Sequence, residues 1–205
     1  MVDVTVVIPY NCDRGWLSEA IASYEAQVFT GNSELILSHD PNQSCAENFN
    51  EGWMLEAQGK YIKILGEDDL MMPNCLQDLF DYAEENDLDV VFAQSIHIGD
   101  GEDQIFIPKF TEISLDSLLF NNFIDVQTTL YSHKLLQELG GFDENLQTAE
   151  EYEFHLRALS SNYSFGYLPK VVAKYRHHSK NKSRILRASS MDRVKYIEEI
   201  RRRFR

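Results

Sequence analysis

The sequence predicts an α/β fold in which a mostly parallel central sheet is covered by helices on both faces. Short apolar runs alternate with amphipathic helical stretches over the first 95 residues. Each strand–helix–strand unit implies parallel pairing through a right-handed crossover, because the chain must return across one face of the sheet. The first run, residues 4–9, is β-branched and typical of a buried strand. The expected architecture is therefore a three-layer α/β/α sandwich.

The first half of the chain contains four predicted strands separated by three predicted helices. The strands are expected at residues 4–9, 34–38, 61–65 and 89–98, and the helices at 16–27, 44–57 and 73–85. The second helix opens with Ser44 and Glu47, which have the spacing of a capping box. Gly59 follows its end, as glycine commonly does after a helix.

The second half has a less regular pattern. Gly99, Asp100 and Gly101 predict a turn that closes a hairpin between residues 90–98 and 104–107. Helices are expected at 114–120, 134–139, 150–161 and 191–204, and extended segments at 126–131 and 170–175. Gly140 and Gly141 are typical of a helix C-cap directly after residue 139.

Length and composition indicate one globular domain and exclude several classes of protein. The chain has 205 residues and a mass of 23.8 kDa, which is enough to bury a core without disulfides or structural metals. Hydrophobic residues make up 43% and charged residues 25%, so the chain is neither disordered, collagen-like nor a coiled-coil rod. There is no internal repeat and no linker rich in Pro, Gly or Ser.

The charge is distributed unevenly along the chain. Residues 1–169 contain six basic and 30 acidic residues, a net charge of −24, whereas residues 170–205 contain 13 basic and three acidic residues, a net charge of +10. The acidic body argues against a nucleic-acid partner, which requires a basic surface. The basic tail is compatible with phosphates, with an anionic membrane or with the acidic body of its own chain.

The ends of the chain and its cysteines predict a cytoplasmic protein. The N-terminus has Asp3 where a secretion signal has basic residues, and no apolar run approaches the ~20 residues of a membrane span. Cys12, Cys45 and Cys75 are odd in number and lack the spacing of a metal site, so we expect reduced thiols.

Acidic residues follow the predicted strands, where an open parallel sheet binds its ligands. The first strand is followed by Tyr10, Asn11 and Asp13, the second by Asp40, and the third by Glu67, Asp68 and Asp69. Neither GxGxxG nor GxxxxGK[ST] is present, so a bound diphosphate would not be held by a glycine loop. Carboxylates carrying Mn²⁺ or Mg²⁺ would neutralise it instead.

A series of motifs occurs in order from residue 4 to about 178: VVIPYN at 6–11, HDPN at 39–42, NFNEG at 48–52, GKYIKILGEDDLMMP at 59–73, GGFDENL at 140–146, EEYEFHLRAL at 150–159 and YRHH at 175–178. By these motifs the chain resembles the family 2 glycosyltransferases, which are inverting enzymes with the GT-A fold. The resemblance implies a single domain with a nucleotide-binding half at 1–98, an acceptor-binding half at 99–183 and a basic C-terminal helix at 184–205.

By this resemblance, the first two strand ends bind the nucleoside. Asp40 corresponds to the acid that recognises the base, and Pro9, Tyr10 and Asn11 to the stretch that packs against it. An Asx-turn is the alternative role of Asp40, since Asp-Pro-Asn also suits a turn. An exposed aromatic at a strand end is the alternative role of Tyr10.

The resemblance also implies a metal site. Asp68 corresponds to the second acid of the family's Asp-x-Asp element, which binds the metal on the donor diphosphate, and His178 to a late histidine that completes the metal shell. Gly66 replaces the first acid, and Glu67 or Asp69 would assist. Three consecutive acids after an apolar strand repel one another without a cation, which favours this reading over a merely solvated turn.

Glu150 and Glu151 correspond to the acidic pair that opens the acceptor-side helix, and Glu151 to its general base. The family's Asp is here a Glu, one methylene longer. Stabilisation of the helix dipole is the alternative role, because acids are favoured in any first helical turn.

The expected function is metal-dependent inverting transfer of a sugar from a nucleotide-sugar donor, most simply a UDP-sugar, to a saccharide or lipid-linked acceptor in polysaccharide or glycan synthesis. One alternative is a catalytically silent nucleotide- or carbohydrate-binding module; another is a sugar-phosphate nucleotidyltransferase. The basic amphipathic tail predicts at most weak, salt-sensitive contact with the inner face of a membrane, and docking on the protein body is the favoured alternative.

Overall fold

A computed structural model describes residues 1–99, 101–110, 112–182, 184 and 193–205. The strands are β1 (Val4–Tyr10), β2 (Ser33–His39), β3 (Tyr61–Ile64), β4 (Leu70–Met71), β5 (Val90–Ile98), β6 (Gln104–Phe106), β7 (Leu130–Ser132) and β8 (Phe165–Arg176). The helices are α1 (Leu17–Glu25), α2 (Cys45–Leu55), α3 (Cys75–Asn86), α4 (Leu115–Phe120), α5 (His133–Leu139), α6 (Glu150–Ser160) and α7 (Arg193–Arg202). A 3-10 turn, Val126–Thr128, lies before β7.

The strands of the described residues form one mixed sheet, which confirms the α/β class. Its order is β2-β1-β3-β7-β5-β8-β4, and β6 pairs with β5. The long ladders are parallel: β1 pairs with β2 over seven residues and β5 with β8 over nine, whereas β5–β6, the longest antiparallel ladder, has three pairs. Strand β7 lies antiparallel between β3 and β5, so the strand predicted at 89–98 runs parallel to β3 without contacting it.

Helices cover both faces of the sheet, as expected for a three-layer sandwich. Along β1 the side chains alternate between the two faces, because successive residues of a strand point in opposite directions. Val6 and Ile8 pack with Leu76 and Leu79 of α3 on one face, whereas Val7 packs on the other with α2 and α6. A third cluster around Phe92 joins α4, α6 and α7.

Several local predictions are confirmed. Ser44 and Glu47 form both bonds of the capping box at α2: the Glu47 N–H donates to Ser44 Oγ (3.2 Å) and the Ser44 N–H to Glu47 Oε2 (2.6 Å). Gly140 ends α5 in the left-handed conformation, with φ +84°. The hairpin is present as β5 and β6, although Asp100 in its turn lies outside the described residues.

Other local predictions need correction. Gly59 does not end α2, because the helix stops at Leu55. The Gly59 N–H instead donates to Thr5 Oγ1 (2.8 Å). The segment 126–131 is extended only from Leu130, because the hydroxyls of Thr128 and Thr129 donate to carbonyls three residues back and close a 3-10 turn. The strand predicted at 170–175 is the longer β8, and the short β4 was not predicted.

The basic tail helix α7 docks on the protein body. Ile200 is 1% exposed in the cluster around Phe92, and the Gln147 N–H donates to the Tyr196 hydroxyl (2.8 Å). Arg203 forms an ion pair with Asp143 (3.1 Å). The predicted helix began at 191, but 191–192 lie outside the described residues. Within the described part of the chain, no helix has the length and apolar character needed to cross a bilayer.

Candidate active site

A cleft of about 260 Å³ lies where β1 and β3 end and α6 begins. Its wall contains residues from both halves of the chain, which the sheet and the first turn of α6 bring together. The lining residues are Pro9, Arg14, Cys45, Ile64, Gly66, Glu67, Asp68, Asp69, Val126, Gln127, Thr148, Ala149, Glu150, Glu151, Tyr175, Lys180, Asn181 and Lys182.

The turn after β3 places three acids in the cleft wall, each in a different environment. Glu67 is 3% exposed; its Oε1 accepts from Arg14 Nη1 (2.5 Å), and its Oε2 has no hydrogen-bond partner among the described residues. Burial raises the pKa of Glu67. Asp69 is also buried and accepts the Arg176 N–H (2.9 Å); burial, then the neighbouring Asp68, raises its pKa. Of the three acids, Asp68 is the most accessible to solvent.

Asp68 and His178, the two predicted metal ligands, contact each other. His178 Nε2 lies 2.7 Å from Asp68 Oδ2, and Asn181 Nδ2 lies 3.3 Å from the same oxygen. The imidazole is held from two sides, since its Nδ1 accepts the Lys180 N–H (3.1 Å) and its ring packs on Trp16 at 4.3 Å. Tertiary structure thus unites residues 110 positions apart.

The donor set suits a hard divalent ion that is shared with a substrate. Among the described residues, no group of three or more His, Cys, Asp or Glu side chains could hold a metal by itself. Mg²⁺ and Mn²⁺ are usually held by one or two carboxylates together with substrate phosphates and water. Asp68 and His178, with the unpartnered Oε2 of Glu67 in the same wall, fit that pattern.

The start of α6, where both predicted catalytic acids lie, also lines the cleft. Glu150 is 7% exposed and forms an ion pair with Lys182, whereas Glu151 is partly exposed. Ala149, immediately before the helix, has φ +62°, an unfavourable conformation of the kind that concentrates at functional sites.

Two polar residues, the partly exposed Arg157 and the buried Asn50, hold α6 and the GGFDE segment in place. Arg157 of α6 donates to the carbonyls of Leu139 (2.5 Å) and Gly141 (2.7 Å). Asn50 of α2 is 2% exposed and forms two bonds with the Phe142 backbone: its Nδ2 donates to the carbonyl (2.8 Å) and its Oδ1 accepts the N–H (2.9 Å). The NFNEG and GGFDE motifs therefore contact each other directly.

The predicted nucleoside residues lie beside the cleft, and of these Pro9 is in its lining. Tyr10 packs on His39 with ring centroids 4.3 Å apart, next to Asp40. The Asp40 carboxylate accepts the Asn42 N–H (2.8 Å), so the Asx-turn is formed. Asn11 Oδ1 is buried and has no hydrogen-bond partner among the described residues.

The structure adds residues that sequence reasoning missed. Arg14 and Asn181 contact the predicted acids, and Gln127 enters the cleft from the 3-10 turn. The Lys63 Nζ donates a hydrogen bond to the Gln127 carbonyl. Lys63 is fully buried, and this burial lowers its pKa. Nothing in the sequence near Gln127 distinguishes it from a surface residue. The one signal in the sequence that could have pointed to this part of the cleft was a lysine, Lys63, within an otherwise apolar strand.

Comparisons with solved structures place this architecture among the GT-A glycosyltransferases. A 1–349 fragment of S. aureus TarS, in complex with UDP-GlcNAc, superposes with a TM-score of 0.70 at 16% identity, over 100% of this chain and 71% of that fragment. The mannosyltransferase PcManGT of Pyrobaculum calidifontis, in complex with GDP-Man and Mn²⁺, superposes with a TM-score of 0.64 at 12% identity, over 87% of this chain and 58% of that one.

Sequence comparison gives the same family. An uncharacterized glycosyltransferase of Methanocaldococcus jannaschii, MJ1057, is 27% identical over 203 residues, covering 83% of this chain and 69% of that protein. The family model described as glycosyl transferase family 2 matches residues 13–140, more than half of the chain. The chain therefore belongs to glycosyl transferase family 2 and is a glycosyltransferase with the GT-A fold.

Proposed function

We propose that the protein transfers a sugar from a nucleotide-sugar donor, a UDP-sugar in the simplest case, to an acceptor hydroxyl with inversion at the anomeric carbon. The observation that carries the proposal is one cleft lined by acids from two elements: the turn containing Asp68 after β3, and Glu151 at the start of α6. Inversion in one displacement needs a leaving diphosphate on one side of the sugar and a base on the other, and these two elements suit those roles.

The donor nucleotide is assigned to the ends of β1 and β2. Tyr10 and Pro9 offer apolar surface for a base, and Asp40 offers a carboxylate beside them. The Asx-turn uses Oδ1 of Asp40, which fixes the orientation of the carboxylate towards a ring N–H. UDP as the nucleotide is supported by the TarS complex, although PcManGT binds GDP-Man.

The diphosphate is assigned to Asp68 and His178, with Glu67 and the cations Arg14 and Lys182 in the same wall. Mn²⁺ or Mg²⁺ held there would neutralise charge on the leaving diphosphate. Arg14 is paired with Glu67, and Lys182 is paired with Glu150. Both cations line the cleft, so they lie close enough to reach an anion that enters it.

Glu151 is proposed as the general base in preference to Glu150. The Glu150 carboxylate is 7% exposed and already paired with Lys182, so it is less available to an acceptor hydroxyl. Glu151 is the more exposed acid in the same wall, so an acceptor hydroxyl can approach it.

The acceptor is proposed to be a saccharide, free or lipid-linked, bound by the half from residue 99 to 183. A cytoplasmic location is part of this proposal and is supported by Cys12, Cys45 and Cys75, which are free thiols in the described structure. Contact with a membrane would be weak and salt-sensitive, because the apolar stripe of α7 packs against the protein body.

A catalytically silent binding module is the second candidate, and Gly66 is the observation that favours it. A Cβ at this position would lie 2.9 Å from Asp68 Oδ1 and 2.8 Å from Asp69 Oδ2, so an acid here would require these carboxylates to shift. The acid turn therefore has one ligand fewer than the Asp-x-Asp element.

Calorimetric titration of UDP with and without Mn²⁺, followed by UDP release from UDP-sugars, tests the proposal. UDP binding should require Mn²⁺ and should be lost in Asp68→Asn. Glu151→Gln should bind UDP normally and lose about 10²–10⁴-fold in turnover, while the exposed Glu85→Gln on α3 behaves as wild type. Binding without turnover would favour the silent module, and a preference for nucleoside triphosphates would favour a nucleotidyltransferase.

A further inference from the structure

The side chain of Gln127 lines the cleft, and the proposed mechanism gives it no role. Gln127 is 3% exposed and lies in the 3-10 turn Val126–Thr128. Its side-chain Nε2 is buried and has no hydrogen-bond partner among the described residues. A buried N–H without a partner costs about 1–3 kcal/mol, so a protein rarely keeps one unless something binds it.

The turn that presents Gln127 is held at its backbone from several directions. Lys63, fully buried in β3, donates from Nζ to the Gln127 carbonyl (2.5 Å) and to the Ile64 carbonyl (2.8 Å). The Thr128 hydroxyl donates to the Asp125 carbonyl (2.7 Å) and accepts the Ala93 N–H (3.3 Å). With its backbone anchored in this way, Gln127 has little freedom to turn its amide towards another partner.

The position of Gln127 indicates which part of a ligand it would meet. The acid turn after β3 and the start of α6 both line the cleft, and Val126 and Gln127 line it together with them. A sugar in transfer must lie between the leaving diphosphate and the general base. An amide N–H is also suited to a neutral oxygen rather than to a phosphate, since it carries no charge to neutralise one.

We propose that Gln127 is a specificity-determining residue that donates its Nε2 hydrogen bond to an oxygen of the transferred sugar, a hydroxyl or an acylamino carbonyl. The inference rests on the proposed function, because it places the sugar of a nucleotide-sugar in this cleft. A sugar that lacks the oxygen leaves the buried Nε2 unpaired, and sites built around such a bond discriminate strongly against the analogue.

The test compares UDP with UDP-sugars on wild type and on Gln127→Met, which keeps the length of the side chain and removes the donor. A panel of UDP-Glc, UDP-Gal and UDP-GlcNAc first identifies the sugar that wild type binds most tightly. Gln127→Met should weaken that UDP-sugar about 3- to 30-fold, the range of one hydrogen bond, and leave UDP within twofold. Gln137→Met, an exposed site on α5, should change neither.

Monodeoxy derivatives of the preferred UDP-sugar test the same bond without relying on a variant that folds well. In wild type, one monodeoxy derivative should bind more weakly than the parent UDP-sugar, by about the factor by which Gln127→Met weakens the parent. In Gln127→Met, that derivative and the parent should bind with the same affinity. Coupling of this kind identifies the oxygen that Gln127 contacts.

The failures are distinguishable. If wild type binds neither UDP nor any other nucleotide, the proposed function fails and this inference with it. If wild type binds UDP normally but Gln127→Met keeps its UDP-sugar affinity, or loses UDP affinity to the same extent, the role of Gln127 in sugar selection is wrong while the proposed function stands.

Discussion

Replacing Asn50 with alanine should destabilise the protein without touching the cleft. Asn50 is buried on α2 and binds both backbone groups of Phe142, and the Trp53 Nε1–H donates to its Oδ1 at 3.3 Å. Alanine leaves these three buried groups without that partner. At about 1–3 kcal/mol for each unsatisfied group, the gross cost is roughly 3–9 kcal/mol.

Two effects reduce that cost. The N–H of Trp53 is held by the longest of the three bonds, and alanine is the better helix former by about 0.6 kcal/mol. We therefore expect the free energy of unfolding to fall by about 3 kcal/mol. For a chain of this length that corresponds to a decrease of about 6–12 °C in melting temperature.

Urea unfolding followed by circular dichroism measures this difference directly. Asn86→Ala on α3 is the matched control, because Asn86 is exposed and makes a single bond to the Tyr82 carbonyl (2.9 Å). A loss for Asn50→Ala below about 1 kcal/mol, or no greater than that of the control, would refute the view that Asn50 ties the NFNEG segment to the GGFDE segment.

Three further predictions follow from buried contacts. Gly141→Ala should cost at least about 2 kcal/mol more than Gly140→Ala in urea unfolding. Both glycines have positive φ, but the added Cβ would collide with Asn50 at Gly141, whereas no described atom lies within 4 Å of it at Gly140. Equal losses of stability in the two variants would contradict this prediction. Burial lowers the pKa of His155 to about 3, so the unfolded chain binds the additional proton and stability falls as the pH drops below about 6.5 towards 3. From pH 7.5 to 5, wild type should lose about 2 kcal/mol more than His155→Gln, and parallel losses would count against a buried neutral histidine. Truncation after Lys182 should cost about 3 kcal/mol or more in urea unfolding, because it exposes the cluster that Ile200 completes. Unchanged stability would argue for a freely exposed tail.

The sequence by itself determined the class of fold and most of the secondary structure elements, though not β4 or the 3-10 turn before β7. Hydrophobic spacing, the capping box at Ser44 and the glycine after α5 are decided by residues within one or two turns of each other, so they can be predicted from local pattern. The family motifs can also be recognised in the sequence, but a resemblance gives no physical reason for them. Asn50 provides a physical reason for NFNEG and GGFDENL, because its side chain joins these two segments, 92 residues apart.

Only the tertiary structure decided how the strands are ordered and which polar side chains meet. Strand β7 is three residues long, and its insertion between β3 and β5 depends on pairing with distant strands rather than on its own sequence. The contact between Asp68 and His178, 110 residues apart, and the turn that Lys63 fastens behind Gln127 have the same origin. Burial and hydrogen bonding depend on three-dimensional proximity, and local sequence patterns contain no information about the distant segment that supplies the partner.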